Sequence, residues 1–241
     1  MNRTPLRFVL DPVGAELDAA LACEAEVFFA TYGNTAEEFD LEYGPYAEHT
    51  GFMTVLDEDG TALATARFIA PGPAGLKTLN DVARAPWHAD GMRSARAAGI
   101  DPDRTWDVAT IAVRRTPGRT TLCSAALYHG IVTAAQANGI DSIVMIMDER
   151  PRRLLSASGL VPNVLPGTGE GEYLGSPRSI PLWANLHRMF DQQRRTNNEA
   201  YRLIYQAIGL DGITLPTDWT WHRRSLPPAA PARTLARPVQ R

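Results

Sequence analysis

Residues 106–147 constrain the fold more than any other part of the chain. From Trp106 to Val113, Val108, Thr110 and Ala112 alternate with Asp107, Ala109, Ile111 and Val113, the pattern of a strand. A turn over 114–118 leads into a helix over 120–138 closed by Gly139, and a second apolar strand follows at 142–147. A strand, a crossover helix and a strand place both strands in one sheet, parallel or splayed from a shared edge. The fold class is therefore α/β, with a mixed central β-sheet, a splayed pair of parallel strands and flanking helices.

The remaining elements fit around that unit. A strand is expected over 6–10 and a helix over 15–31, with Leu17, Leu21, Ala25 and Phe28 on one face. The acidic stretch 34–45 ends in Gly44-Pro45 and reads as a loop with at most one helical turn. Strands 52–56 and 62–69 flank Asp59-Gly60 and form an antiparallel hairpin. Residues 71–104 read as irregular structure with short helices. A short helix over 152–158 is followed by two strands, 160–165 and 179–186, joined by a Gly-rich loop over 166–175. One long polar helix is expected over 185–208. The domain organisation expected is a core over 1–186, a helical extension over 187–224 and a disordered tail over 225–241.

Composition removes several classes of function. With 24 Lys plus Arg against 27 Asp plus Glu, the net charge is −3, so nothing favours nucleic-acid or anionic-membrane binding. No run approaches a membrane span, and the apolar stretch 6–10 is too short for a signal-peptide core, so a cytoplasmic protein is expected. Cys23 and Cys123 have no ligand or disulfide spacing; they read as small buried residues, and no metal is expected.

Chemistry concentrates where the strand 106–113 runs through a Gly-containing turn into the helix. Unsatisfied N–H groups at such a helix start, with the helix dipole, seat an anionic group such as a pyrophosphate, and Arg115 and Arg119 add charge. A plain surface turn explains the same residues. Arg115-Thr116-Pro117-Gly118-Arg119-Thr120 resembles the pyrophosphate signature Arg/Gln-x-x-Gly-x-Gly/Ala of the GCN5-related N-acetyltransferase (GNAT) superfamily, with Thr120 at the last position. The order of elements over 6–186 is also that superfamily's.

Within it the chain is most similar to the acyl-homoserine-lactone synthase and long-chain N-acyl amino acid synthase branch. Three segments carry the resemblance: Glu38-Phe39-Asp40, then Ala66-Arg67-Phe68-Ile69-Ala70-Pro71, then the strand starting Trp106-Asp107. Asp107 replaces a Glu, Thr110 an Arg and Tyr43 an Asp, which argues against a lactone synthase using S-adenosylmethionine. Leu155 stands where many acetyltransferases have a tyrosine acid.

The resemblance implies an N-acyltransferase that moves an acyl group from acyl-CoA or an acyl-phosphopantetheine carrier protein to a small-molecule amine. Asp107 would be the catalytic base. Val113, Arg115, Gly118, Arg119 and Thr120 would hold the donor. Glu38 and Asp40 would hold the acceptor's ammonium, Arg67 would pair with them or with an acceptor carboxylate, and Phe28 and Trp106 would line the substrate pocket. An arginine inside an apolar strand needs a partner in any case. The alternatives are a short-chain acetyl-CoA-dependent enzyme and a non-catalytic relative that binds CoA or a carrier protein.

Overall fold

The computed structural model describes residues 6–222; the tail expected over 225–241 lies outside them. The first half of the chain runs β1 (Leu6–Leu10), α1 (Ala15–Tyr32), α2 (Ala36–Tyr43), a 3₁₀ turn (Gly44–His49), β2 (Thr50–Leu56), β3 (Ala62–Ile69), α3 (Lys77–Asp81) and α4 (Gly91–Ala98). The second half runs β4 (Thr105–Val113), α5 (Thr120–Ala137), β5 (Ser142–Asp148), α6 (Glu149–Ala157), β6 (Asn163–Val164), β7 (Gly171–Tyr173), β8 (Ser176–Asn185), α7 (Leu186–Thr196), α8 (Asn198–Ile204) and β9 (Ile213–Thr214). The strands form one mixed sheet in the order β6-β8-β5-β4-β3-β2-β1-β9, with β7 folded back on β8.

The β2–β3 hairpin turns as its Asp-Gly pair requires. Gly60 has φ +79°, and the Asp57 carboxylate accepts the amides of Asp59 and Thr61. Beneath the opposite face of the sheet from α1, helix α5 buries Cys123, Leu127, Ile131 and Val132 in the main core with Phe8, Met53, Phe68 and Trp106. It comes so close to β1 that a Cβ on Gly130 would stand 2.2 Å from the Phe8 ring. Burial pushes both cysteine thiols up to about 11, in keeping with their reading as inert core residues. No helix among the described residues is long and apolar enough to cross a membrane.

The structure corrects five sequence expectations. Residues 34–45 are not a loop: α2 forms there because Thr35 and Glu38 make a reciprocal capping box. The face that α1 buries is Ala20, Cys23 and Glu24, not the Leu17, Leu21, Ala25, Phe28 stripe; Leu21 is exposed. The long helix expected over 185–208 breaks at Asn197, whose φ of −148° ends α7 and whose side chain caps α8. The strand expected over 160–165 shrinks to β6, and the Gly-rich loop holds β7. The plain alternation of β4 is interrupted: Arg67 pairs with Thr110 and Phe68 with Val108, so Ala109 is an extra, bulged residue.

Candidate active site

That bulge organises the polar side of the sheet. Asp107 pairs with Ile69 and Thr110 with Arg67, two residues apart on β3, so Asp107 and Thr110 share a face, which strict alternation forbids. Helix α1 crosses that face and presents Glu24, only 1% exposed. Arg67 Nε donates to Glu24 Oε1 at 3.0 Å and its Nη2 to Oε2, while the Thr110 hydroxyl donates to the same carboxylate. The guanidinium lies 4.2 Å from the centre of the Tyr43 ring and 4.8 Å from that of Phe52. A buried charge pair with every carboxylate oxygen engaged is the arrangement in which mutual attraction offsets desolvation.

Beside it lies Asp107, 1% exposed. Helix α3 starts at Lys77, so the Thr78 amide and hydroxyl both reach the carboxylate, the hydroxyl at 2.9 Å. Burial pushes the Asp107 carboxyl up to about 7, although both Thr78 bonds and the nearby Lys77 favour the charged form. Lys77 is the chain's only lysine. Its ammonium donates to Glu42 of α2 at 2.6 Å, to Asp81, and to the Tyr173 hydroxyl of β7 at 3.0 Å. Burial works against that charge, but Asp81 and Glu42 prevail and hold the Lys77 pKa above its ordinary value. The cluster thus ties α2, α3 and β7 together around Asp107.

On the other side of the sheet the parallel pair comes apart. β4 and β5 are paired only at Thr105–Ser142, Trp106–Ile143 and Asp107–Val144, and beyond that point they diverge. A cavity of about 40 Å³ occupies the divergence. Its walls are Val108 and Ile111 of β4, Met145 and Met147 of β5, Tyr128 of α5 and Phe190 of α7, among other apolar side chains. On the β5 side, the amides of 108–113 have no strand partner.

The turn before α5 is tight. Gly118 has φ +72°, and the Thr120 hydroxyl accepts the Thr116 amide and donates to the Thr116 carbonyl, each at 3.0 Å. Thr120 therefore closes the turn on itself, the physical consequence of a hydroxyl where the motif has Gly or Ala. At the helix start, the amides of Thr121 and Leu122 lie among those without an intrahelical acceptor. Arg115 is exposed and Arg119 half-buried beside them. This chemistry, amides plus guanidinium groups around a glycine turn, fits a pyrophosphate.

The residues singled out from sequence divide accordingly. Asp107 and Arg67 belong to one buried cluster, but Arg67 pairs with Glu24 rather than with Glu38 or Asp40. Glu38 spends its carboxylate on the Thr35 amide. Asp40 is exposed and lines a second cavity, of about 180 Å³, with Tyr43, Phe52 and Arg67. Phe28 packs edge-on against Phe39 at 5.2 Å and lines neither cavity. Trp106 is 1% exposed and stacked on Phe68 at 4.2 Å on the α5 face, a core residue turned away from Asp107. Glu24, Lys77, Thr78 and Tyr173 were not legible as site residues: a lone charge or hydroxyl in a helix or loop carries no periodic signal until the sheet beneath it is known.

A mixed sheet whose central parallel pair parts after three residue pairs, with a glycine turn and helix after the first of those strands, is the GNAT fold that the motifs implied. In particular, the chain is similar to the N-acyl amino acid synthase FeeM from uncultured soil microbes (TM-score 0.61, 15% identity, 80% of this chain and 96% of that one). It is also similar to the acyl-homoserine-lactone synthase LasI (0.57, 14%, 81% and 96%). A third similar structure is BjaI, a CoA-dependent acyl-homoserine-lactone synthase described with SAM and isopentyl-CoA (0.54, 14%, 88% and 93%). No protein-family model matches the chain. No curated protein matches it either.

Proposed function

We propose that the protein is an N-acyltransferase that moves an acyl group from a pantetheine thioester, acyl-CoA or acyl carrier protein, to a small-molecule amine. The observation that carries this reading is the gap between β4 and β5. It places an apolar cavity on one face of the sheet and the buried carboxyl of Asp107 at its last paired position. The sheet thus offers an apolar side for an acyl chain and a polar side for an amine, which meet where backbone amides are unpaired.

In this reading the α5 turn, with Gly118, Arg115 and Arg119, holds the donor's phosphates, and Val113 leads the pantetheine arm along β4. A β4 amide polarises the thioester carbonyl. Asp107, directly or through one water, takes a proton from the acceptor's ammonium, and the free amine attacks. The C–N bond forms, the C–S bond breaks, and the thiolate leaves and takes up the second proton that the nitrogen sheds as the amide forms. A base held near pH 7 is suited to that exchange, since it is partly ionised where the cell operates. Met145, Met147 and Met189 around the cavity are unbranched and can swing aside for a longer chain.

The test is a donor series from acetyl to tetradecanoyl thioester. Each methylene that enters the cavity contributes up to about 0.8 kcal/mol, so donor affinity climbs with length until the space is filled. A preference for acetyl would promote a short-chain acetyltransferase instead. Donor binding without thioester consumption would leave a non-catalytic binder.

A further inference from the structure

Resting on that reading, the second cavity narrows the acceptor. It opens at the end of β2 that β1 leaves uncovered, where Asp11 is the first residue past β1 and its amide still bonds the Phe52 carbonyl. Its body is aromatic: Phe39, Tyr43, Phe52 and Trp221 face it, and Asp40 stands in its lining. Arg67 is the only basic side chain among the described residues that line it. An acceptor that carries a carboxylate, as any amino acid does, needs a cation there.

Arg67 already has its charge offset. Its Nε and Nη2 are both committed to Glu24, whose carboxylate also accepts from Thr110, and the whole group is buried. Glu24 cancels the charge of Arg67 at the floor of the cavity. A carboxylate brought in would lose its water without gaining a counter-ion, and would face the exposed acid of Asp40. An ammonium gains Asp40 and the aromatic faces.

We infer that the acceptor is a primary amine with an aromatic or similarly sized apolar body and no carboxylate, seated in the cavity lined by Tyr43, Phe52, Trp221 and Asp40, and that Glu24 sets this preference by neutralising Arg67. The protein therefore discriminates between an amino acid and the amine that its decarboxylation yields. A decarboxylation is the class of reaction that supplies such an acceptor.

Calorimetric binding of phenethylamine and phenylalanine to the full chain, without any thioester, tests this directly. Phenethylamine should bind at least about tenfold more tightly. Asp40→Asn, at an exposed position that leaves the core intact, should weaken phenethylamine binding by about tenfold. Glu24→Gln keeps one acceptor oxygen for Arg67 and removes the opposing charge, and should narrow or reverse the preference by raising phenylalanine affinity. Equal affinities, a preference for phenylalanine, no binding of either, or an Asp40→Asn protein that binds as before would each overturn the inference. If the Glu24 variant fails to fold, the matched pair and Asp40→Asn still decide it. Because binding is read apart from turnover, a protein that prefers phenethylamine yet consumes no thioester with it would sink the transferase reading and leave the amine site standing.

Discussion

Asp107→Asn should make the protein more stable at neutral pH while making it a poorer enzyme. The Asp107 carboxyl titrates near 7 in the folded chain against 3.8 for an unperturbed aspartate, because burial disfavours its charge. Between those two values the folded state holds a proton that the unfolded state has released, so stability falls as pH rises through this window and the full cost is present above about pH 7. A difference of that size corresponds to roughly 4 kcal/mol. Asparagine carries no charge but cannot accept both Thr78 bonds, which returns about 1 kcal/mol. The variant should therefore gain on the wild type progressively from about pH 4 to about pH 7, reaching several degrees in melting temperature, and the difference should stay constant above that. Melting curves at half-unit pH steps measure it. In turnover, loss of the base should cost roughly 10² to 10⁴-fold, shrinking as alkaline medium supplies free amine. A stability difference independent of pH, or turnover equal to wild type, would refute the assignment of Asp107 as a buried base.

Gly118→Asp places a negative charge in the α5 turn on a residue type that tolerates left-handed backbone, so it should abolish the thermal protection given by CoA, while Gly118→Asn keeps part of it. Met145→Trp fills the gap between β4 and β5 and should depress turnover of tetradecanoyl donors more than about tenfold with little effect on acetyl donors. Glu24→Ala strands the buried Arg67 and should cost roughly 3–5 kcal/mol in urea unfolding, most of it recovered when Arg67→Met is added.

Much of the architecture was legible because its signals are local. The Asp59-Gly60 turn, the strand-turn-helix-strand over 106–147 and the glycine turn at Gly118 each follow from residue types at fixed spacing. The capping box of Thr35 and Glu38 is equally local, and was obscured by the acidity around it. The bulge at Ala109 was not legible, since apolar and small residues occupy both faces of β4 and no alternation is visibly broken. Arg67 shows the limit most clearly. That a buried arginine needs a partner follows from its strand; that the partner is Glu24 depends on which face α1 lays on the sheet, and the small residues Ala20 and Cys23 decide that by allowing close approach. The single lysine, chemically silent in the sequence, became part of the site only once Glu42, Asp81 and Tyr173 were brought around it.

Transfer of an acyl group from a thioester to an amine across the gap between β4 and β5 is read by free-thiol release from acyl-CoA, with and without an added amine, coupled to mass spectrometry of the acceptor. Thiol release that depends on the amine, matched mole for mole by an acceptor heavier by one acyl group, is the result expected. Thiol release that ignores the amine and yields only free acid, or no release with any donor while CoA still protects the fold, would contradict it.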